Sequence, residues 1–131
     1  MPAKKEALKV EQFFEVSAVV TTEKTAKAMG SGDLPVFATP AMVALMENAA
    51  MQCVAPLLPE GITTVGTKME LTHDRASAVG AVITARATLV QQTERSFTFT
   101  VEAFDSGVRI GGGTHTRATV KAASFMAKLQ G

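Results

Sequence analysis

The sequence predicts an α+β fold in which one long helix, apolar nearly all round, is wrapped by a curved antiparallel sheet of about five strands. Two observations carry this. The stretch "FATPAMVALMENAAMQCVAPLL", Phe37 to Leu58, reads as a buried helix interrupted by a single charge, Glu47. After it the hydrophobic period changes from that of a helix to that of strands. A helix with so little polar surface must be surrounded, and a sheet curved about it is the economical cover.

The elements follow one another closely. "FFEVSAVV", Phe13 to Val20, is β-branched and aromatic enough for a strand, and "TTEKTAKAM" suits a short helix capped by Thr21 or Thr22. Gly, Pro and Asp mark Gly30 to Pro35 as a loop, placed to act as a rim. Thr39 is a good N-cap and Pro40 a good first helical residue, so the long helix is expected from about Pro40 to Leu58, stopped by Pro59 to Gly61. Four strand-like runs come next: "TTVGTKMELTHD", "AVGAVITARATLVQQ", "RSFTFTVEAFD" and "VRIGGGTHTRATVKAA". In the third, Phe97, Phe99, Val101 and Ala103 alternate with polar residues, the mark of a half-buried antiparallel strand. Hairpin turns are expected around Glu94 and at Asp105 to Gly107.

Composition narrows the function. The 131 residues contain no repeat, low-complexity segment or linker, so residues 1–131 are expected to form one domain. A domain of this size buries about two thirds of its unfolded surface and needs no metal or disulfide staple. Thirteen Lys and Arg balance twelve Asp and Glu, which does not favour nucleic acid or an anionic membrane as partner. The lone Cys53 sits in the apolar stretch and fits a reducing cytoplasm. "MPAKKEALKVEQFFEV" has no apolar leader segment, and the expectation is a cytoplasmic protein without a membrane span.

Glu47 carries the chemical question. On a helix it lies four residues from Val43 and three from Ala50, among apolar side chains. A desolvated carboxylate must be hydrogen-bonded, paired, protonated or open to a cavity, and both a structural ion pair and a catalytic role satisfy that requirement. His73 ends a strand, where side chains reach clefts. His115 lies in "GGGTHTR", in strand parity with Gly113 and Arg117. The glycines Gly111, Gly112 and Gly113 imply a bulge or the close approach of another backbone or a ligand. The spacing is not that of a dinucleotide fingerprint, and no metal-ligand cluster, nucleophile elbow or phosphate loop is present.

The segments "VFATPAMVALMENA", "VGTKMELTHDRASAVG" and "GGGTHTRATV" resemble the hotdog-fold acyl-CoA thioesterases, and among them the fluoroacetyl-CoA thioesterase group, over Phe13 to about Lys128. That resemblance implies an active site of a hydroxyl residue before the long helix, a glutamate eight residues later and a histidine twenty-six further on, here Thr39, Glu47 and His73. It places Gly66 in the acyl pocket and implies an acyl-CoA substrate, no separate cofactor and a homodimer, or a higher homo-oligomer, with sites at the subunit interface. It also implies aromatic lid residues in the loop before the helix, where this sequence has Gly30 and Asp33. Arg117 is a candidate phosphate or pantetheine contact, the alternative being a solvated strand arginine; Gly112 and Gly113 join it as candidate substrate contacts.

Helix geometry adds a constraint. Eight residues rise about 12 Å, so Thr39 and Glu47 of one helix do not easily touch the same atom. Either the substrate spans them, Glu47 reaches back, or one site combines two chains. A non-catalytic acyl-CoA binding or sensor module on the same fold is the rival reading; it would have no need of Glu47 with His73.

Overall fold

The computed structural model describes residues 12–131. The stretch Met1 to Glu11, read above as free of an apolar leader, lies outside the described residues.

Strand β1 (Phe13–Val19) leads through a 3₁₀ turn at Thr22–Lys24 into a one-turn helix α1 (Ala26–Met29). The long helix α2 (Thr39–Val54) is followed by strands β2 (Ile62–His73), β3 (Val82–Gln92), β4 (Ser96–Asp105) and β5 (Val108–Lys121), and by a terminal helix α3 (Ala122–Gln130). The five strands form one antiparallel sheet in the order β1-β3-β4-β5-β2. β2 is therefore an edge strand although it follows α2 directly.

The expected wrapping arises from complementary periods. α2 turns Met42, Met46, Ala49, Ala50 and Cys53 to the sheet, each at most 1 % exposed. The sheet answers with Ile83, Ala85, Ala87 and Leu89 of β3 and Phe97, Phe99, Val101 and Ala103 of β4, alternating with polar residues on the outer face. Alanines at the centre on both sides let helix and sheet approach closely, while each larger side chain removed from water contributes roughly 1.5–3 kcal/mol.

Several boundaries differ from expectation. The short helix α1 is capped by Thr25 rather than Thr21 or Thr22, the Thr25 hydroxyl accepting from the N–H of Ala28 (3.2 Å), and β3 begins at Val82 rather than near Ala78. The cap of α2 is Ala38, with Thr39 already helical, so the Thr39 hydroxyl is not spent on capping. The helix ends at Val54, and Pro56 lies in a 3₁₀ turn, Ala55–Leu57, because its ring lacks the N–H that would continue the α pattern. The C-terminal residues from Ala122, read partly as strand, form α3. Both hairpins stand where expected, and the second uses Ser106 and Gly107 with positive φ, the geometry a two-residue turn requires.

The triple glycine proves to be a packing device. A Cβ at Gly113 would run into the Glu70 carbonyl, one at Gly111 into the Thr72 carbonyl, and one at Gly112 into the Arg109 guanidinium. Beside them the β4–β5 register slips between Ala103 and Phe104, leaving Ile110 as the extra residue. The slip bends β5 so that the carbonyl of Ile110 receives the N–H groups of Asp74 (2.7 Å) and Arg75 (3.2 Å), which fixes the chain just beyond His73. Gly113→Ala should destabilise the protein by about 1–3 kcal/mol, the usual cost of forcing an atom into a filled site. Denaturant unfolding measures it; an unchanged midpoint would contradict the close approach.

Candidate active site

Two clusters of chemically capable side chains lie along α2, one at its N-terminus and one two turns further on.

At the N-terminus the segment before α2 is stitched to both neighbours. The N–H of Ala38 donates to Lys24 (2.9 Å), and that of Phe37 to Ser77 (2.9 Å). This brings the first turn of α2 against the end of β2, where the Thr39 hydroxyl and His73 Nδ1 share a hydrogen bond of 2.8 Å. They open onto a cavity of about 230 Å³ whose wall also includes Ser31, Val36, Asp74 and Arg75. His73 Nε2 is out of water and has no partner among the described residues, while Phe37 meets the ring edge-on at 6.2 Å. Burial is the main influence on this imidazole and lowers its pKa, so its neutral form is favoured. The helix N-terminus adds N–H groups and partial positive charge.

In the second cluster Glu47 faces the edge strand across a cavity of about 380 Å³ lined by Ala44, Asn48, Met51, Thr64, Val65, Gly66 and Arg117. Within one chain its side chain is 43 % exposed. The carboxylate is therefore not sealed in an apolar interior: of the possibilities open at the sequence level, pairing and a cavity both apply. Arg117 is the buried member at 7 % exposure, in contrast to the solvated strand arginine considered above. Its Nε donates to Thr64 Oγ1 (2.8 Å), its Nη2 to the Thr64 carbonyl (3.0 Å), and its Nη1 lies 3.2 Å from His115 Nε2 and 4.0 Å from Glu47 Oε2. These bonds turn Arg117 toward the Glu47 cavity. Gly66 completes the cluster, since a Cβ there would sit 2.7 Å from Glu47 Oε2 and 3.1 Å from His115 Cε1.

Thr39 thus meets His73, and Glu47 meets Gly66 and Arg117, but the fold does not bring the two groups together within one chain. Gly112 and Gly113 pack against neighbouring backbone and the Arg109 side chain and line neither cavity. Thr64 and His115 were not singled out as site residues. The inward parity of His115 with Arg117 was the available signal, whereas the contact between Arg117 and Thr64 spans 53 positions and leaves no local trace. Among the described residues no group of His, Cys, Asp or Glu is placed to hold a metal ion, and no helix is long and apolar enough to cross a membrane.

The family model described as "Fluoroacetyl-CoA-specific thioesterase" (FlK) matches residues 20–123. This chain belongs to the fluoroacetyl-CoA-specific thioesterase family. The fluoroacetyl-CoA thioesterase of Streptantibioticus cattleyicolor is 34% identical over 132 residues, covering 96% of this chain and 95% of the relative. A solved structure of a single-residue FlK variant, in complex with fluoroacetate and CoA, superimposes with a TM-score of 0.83 at 34% identity, over 88% of this chain and 98% of that one. A thioesterase superfamily member from Thermus thermophilus gives 0.84 at 27% identity, over 92% and 89%. The fold is the hotdog fold of this family, a five-stranded curved sheet about a central helix.

The two histidines make folding pH-dependent. Burial, the largest influence on each, lowers the pKa of His73 and of His115 below the ordinary 6.5. The unfolded chain then binds protons that the folded chain resists, so this contribution is fully present above about pH 6.5 and is lost as pH falls toward the folded values. The melting temperature should decline between about pH 7 and pH 5.5, before the carboxylates titrate. A flat profile across that window would contradict the burial of these rings.

Proposed function

We propose that this chain hydrolyses a small acyl thioester of coenzyme A, with Glu47 as base or nucleophile, and that each active site is completed by a second copy of the chain. Water adds to the thioester carbonyl, the C–S bond breaks, and the products are the carboxylic acid and the free thiol of CoA. The observation that carries the reading is Glu47 itself, a carboxylate placed on an otherwise uncharged helix and aimed into a cavity across from Gly66. The hydrolase class is that of the family.

The roles follow from the geometry. The N-terminus of α2 offers N–H donors to the oxygen that becomes negative during attack, where preorganised donors are most effective, and the Thr39 hydroxyl joins them in the tautomer in which His73 Nδ1–H donates to it. His73, held by Thr39, is placed to orient the reacting groups or to protonate the departing sulfur. Glu47 draws a proton from water or attacks the carbonyl directly. Its cavity of about 380 Å³ accommodates an acyl group and the thioester while the rest of CoA lies outside. Thr39 and Glu47 stand about 12 Å apart along α2, so a site using all three residues joins Thr39 and His73 of one protomer to Glu47 of its partner. A homodimer is the smallest assembly that provides this.

Glu47→Gln keeps the shape and removes the charge, and should lower kcat by about a hundredfold or more. Its stability should change by no more than about 1 kcal/mol, because the exposed carboxylate is only loosely paired with Arg117. Mixing inactive Glu47→Gln and His73→Ala subunits tests the two-chain site. Random exchange makes half the dimers mixed, each with one intact site of two, so about a quarter of wild-type activity should return. No recovery after verified exchange would place the whole site within one chain.

The lid positions bear on the acyl group. The loop from Gly30 to Pro35 is exposed and offers Gly30 and Asp33 where the family resemblance implies aromatic residues. Acetyl-, propionyl- or small branched acyl-CoA should therefore be turned over as well as fluoroacetyl-CoA or better. A thousandfold preference for the fluorinated substrate, about 4 kcal/mol in the transition state, would overturn this.

A further inference from the structure

His115 is 1 % exposed and is not one of the reacting groups proposed above, yet its surroundings dictate its protonation. Its Nδ1 lies 2.7 Å from the Lys68 carbonyl oxygen, which only accepts, so Nδ1 carries the hydrogen. Its Nε2 lies 3.2 Å from Arg117 Nη1, which only donates, so Nε2 is bare. The ring is held in this plane by stacking on Phe99, with centroids 6.1 Å apart and planes inclined by 27°. Arg117 has given its Nε and Nη2 to Thr64, and the nitrogen that His115 holds is the one 4.0 Å from Glu47 Oε2.

We propose that His115 is a positioning residue: as the neutral Nδ1–H tautomer it accepts one hydrogen of Arg117 Nη1, which leaves the other directed at the Glu47 carboxylate. The proposal rests on the reading of Glu47 as the reacting carboxylate. The Glu47 side chain, half open to water, has no hydrogen bond of its own among the described residues that would fix its rotamer, so the direction of the guanidinium biases where the carboxylate rests. Protonation of His115 would remove the acceptor and set a second cation against Arg117. The charged groups facing the ring are Arg117 from β5 and Glu47 from α2. β2 presents the Lys68 carbonyl, with the Lys68 ammonium turned to Glu70 (3.8 Å), and β4 presents Phe99. Burial, reinforced by Arg117, keeps the ring below its ordinary pKa against the opposing influence of the Lys68 carbonyl and Glu47.

Two variants separate positioning from packing. The amide nitrogen of His115→Asn replaces the Nδ1 donor and leaves nothing to receive Arg117, whereas the amide of His115→Gln reaches the Nε2 position, where its oxygen accepts. For folded protein, Asn should lower kcat by about tenfold or more with KM within about threefold, and Gln should recover most of that loss. Gln should also remove the part of the acid limb of the kcat profile that belongs to His115. Two-bond proton–nitrogen NMR of the wild type should show Nδ1 protonated and Nε2 bare near neutral pH, a readout that needs no activity. Equal kcat losses in Asn and Gln, no loss in Asn, or the opposite tautomer would each overturn the proposal. A fully active Glu47→Gln beside the expected tautomer would instead sink the Glu47 reading and, with it, the catalytic consequence of His115.

Discussion

A guanidinium withdrawn from water sets the terms for the centre of this molecule. Arg117 is 7 % exposed, and an unpaired cation at that depth would cost several kcal/mol. Every nitrogen of its fork is accordingly answered: two by Thr64 across the β2–β5 ladder, the third by His115 and, more loosely, by Glu47. Each answer constrains something else. Thr64 ties the position of the edge strand to β5, and His115 is held to one tautomer. Gly66 must have no side chain, because a Cβ there would stand within 3.4 Å of the guanidinium, the imidazole and the carboxylate alike. The register of β2 against β5 slips immediately afterwards, between Gly66 and Lys68, where the strand bends past this crowded point.

The helix imposes the second division. Its sheet-facing residues are fixed by packing, so polar chemistry is confined to its N-terminus and to the stripe that looks toward β2. Thr39 occupies the first place and Glu47 the second. Cooperation between them on one thioester has to bridge about two helical turns. Under the proposed two-chain reading a second copy would supply that bridge without new sequence, because one interface would create two equivalent sites.

Much of this was legible in the sequence, for identifiable reasons. The odd charge in "AMVALMENAAM", the alternation through Phe97 to Ala103 and the turn residues Asp105 to Gly107 are local signals, and each marks the element that formed. Strand order was not legible, since the pairing of β1 with β3 and the exile of β2 to the edge depend on contacts between distant segments. The role of Thr39 was half legible: a threonine before Pro40 signals a cap, but the backbone begins the helix one residue earlier and frees the hydroxyl for His73, 34 positions away. Arg117 was legible as a candidate substrate contact, but its burial was not. An arginine on a strand is usually solvated, and only its distant partner Thr64 shows that this one is not.

The remaining tension is the openness of Glu47. A carboxylate half in water interacts weakly with nearby charge, whereas catalysis gains most where water is excluded and dipoles are fixed in advance. Among the described residues of one chain, nothing closes the cavity. Its outer wall is formed by Thr64, Val65 and Gly66 of β2, an edge strand with one side of its backbone unpaired in the sheet. Unpaired edges are normally covered, charged or kinked, and this one carries a kink at the cavity itself. Under the proposed two-chain reading, covering the edge and drying the cavity become one event. Assembly would then do what folding leaves undone: it would raise the electrostatic weight of Glu47 and Arg117 as the second cluster is delivered.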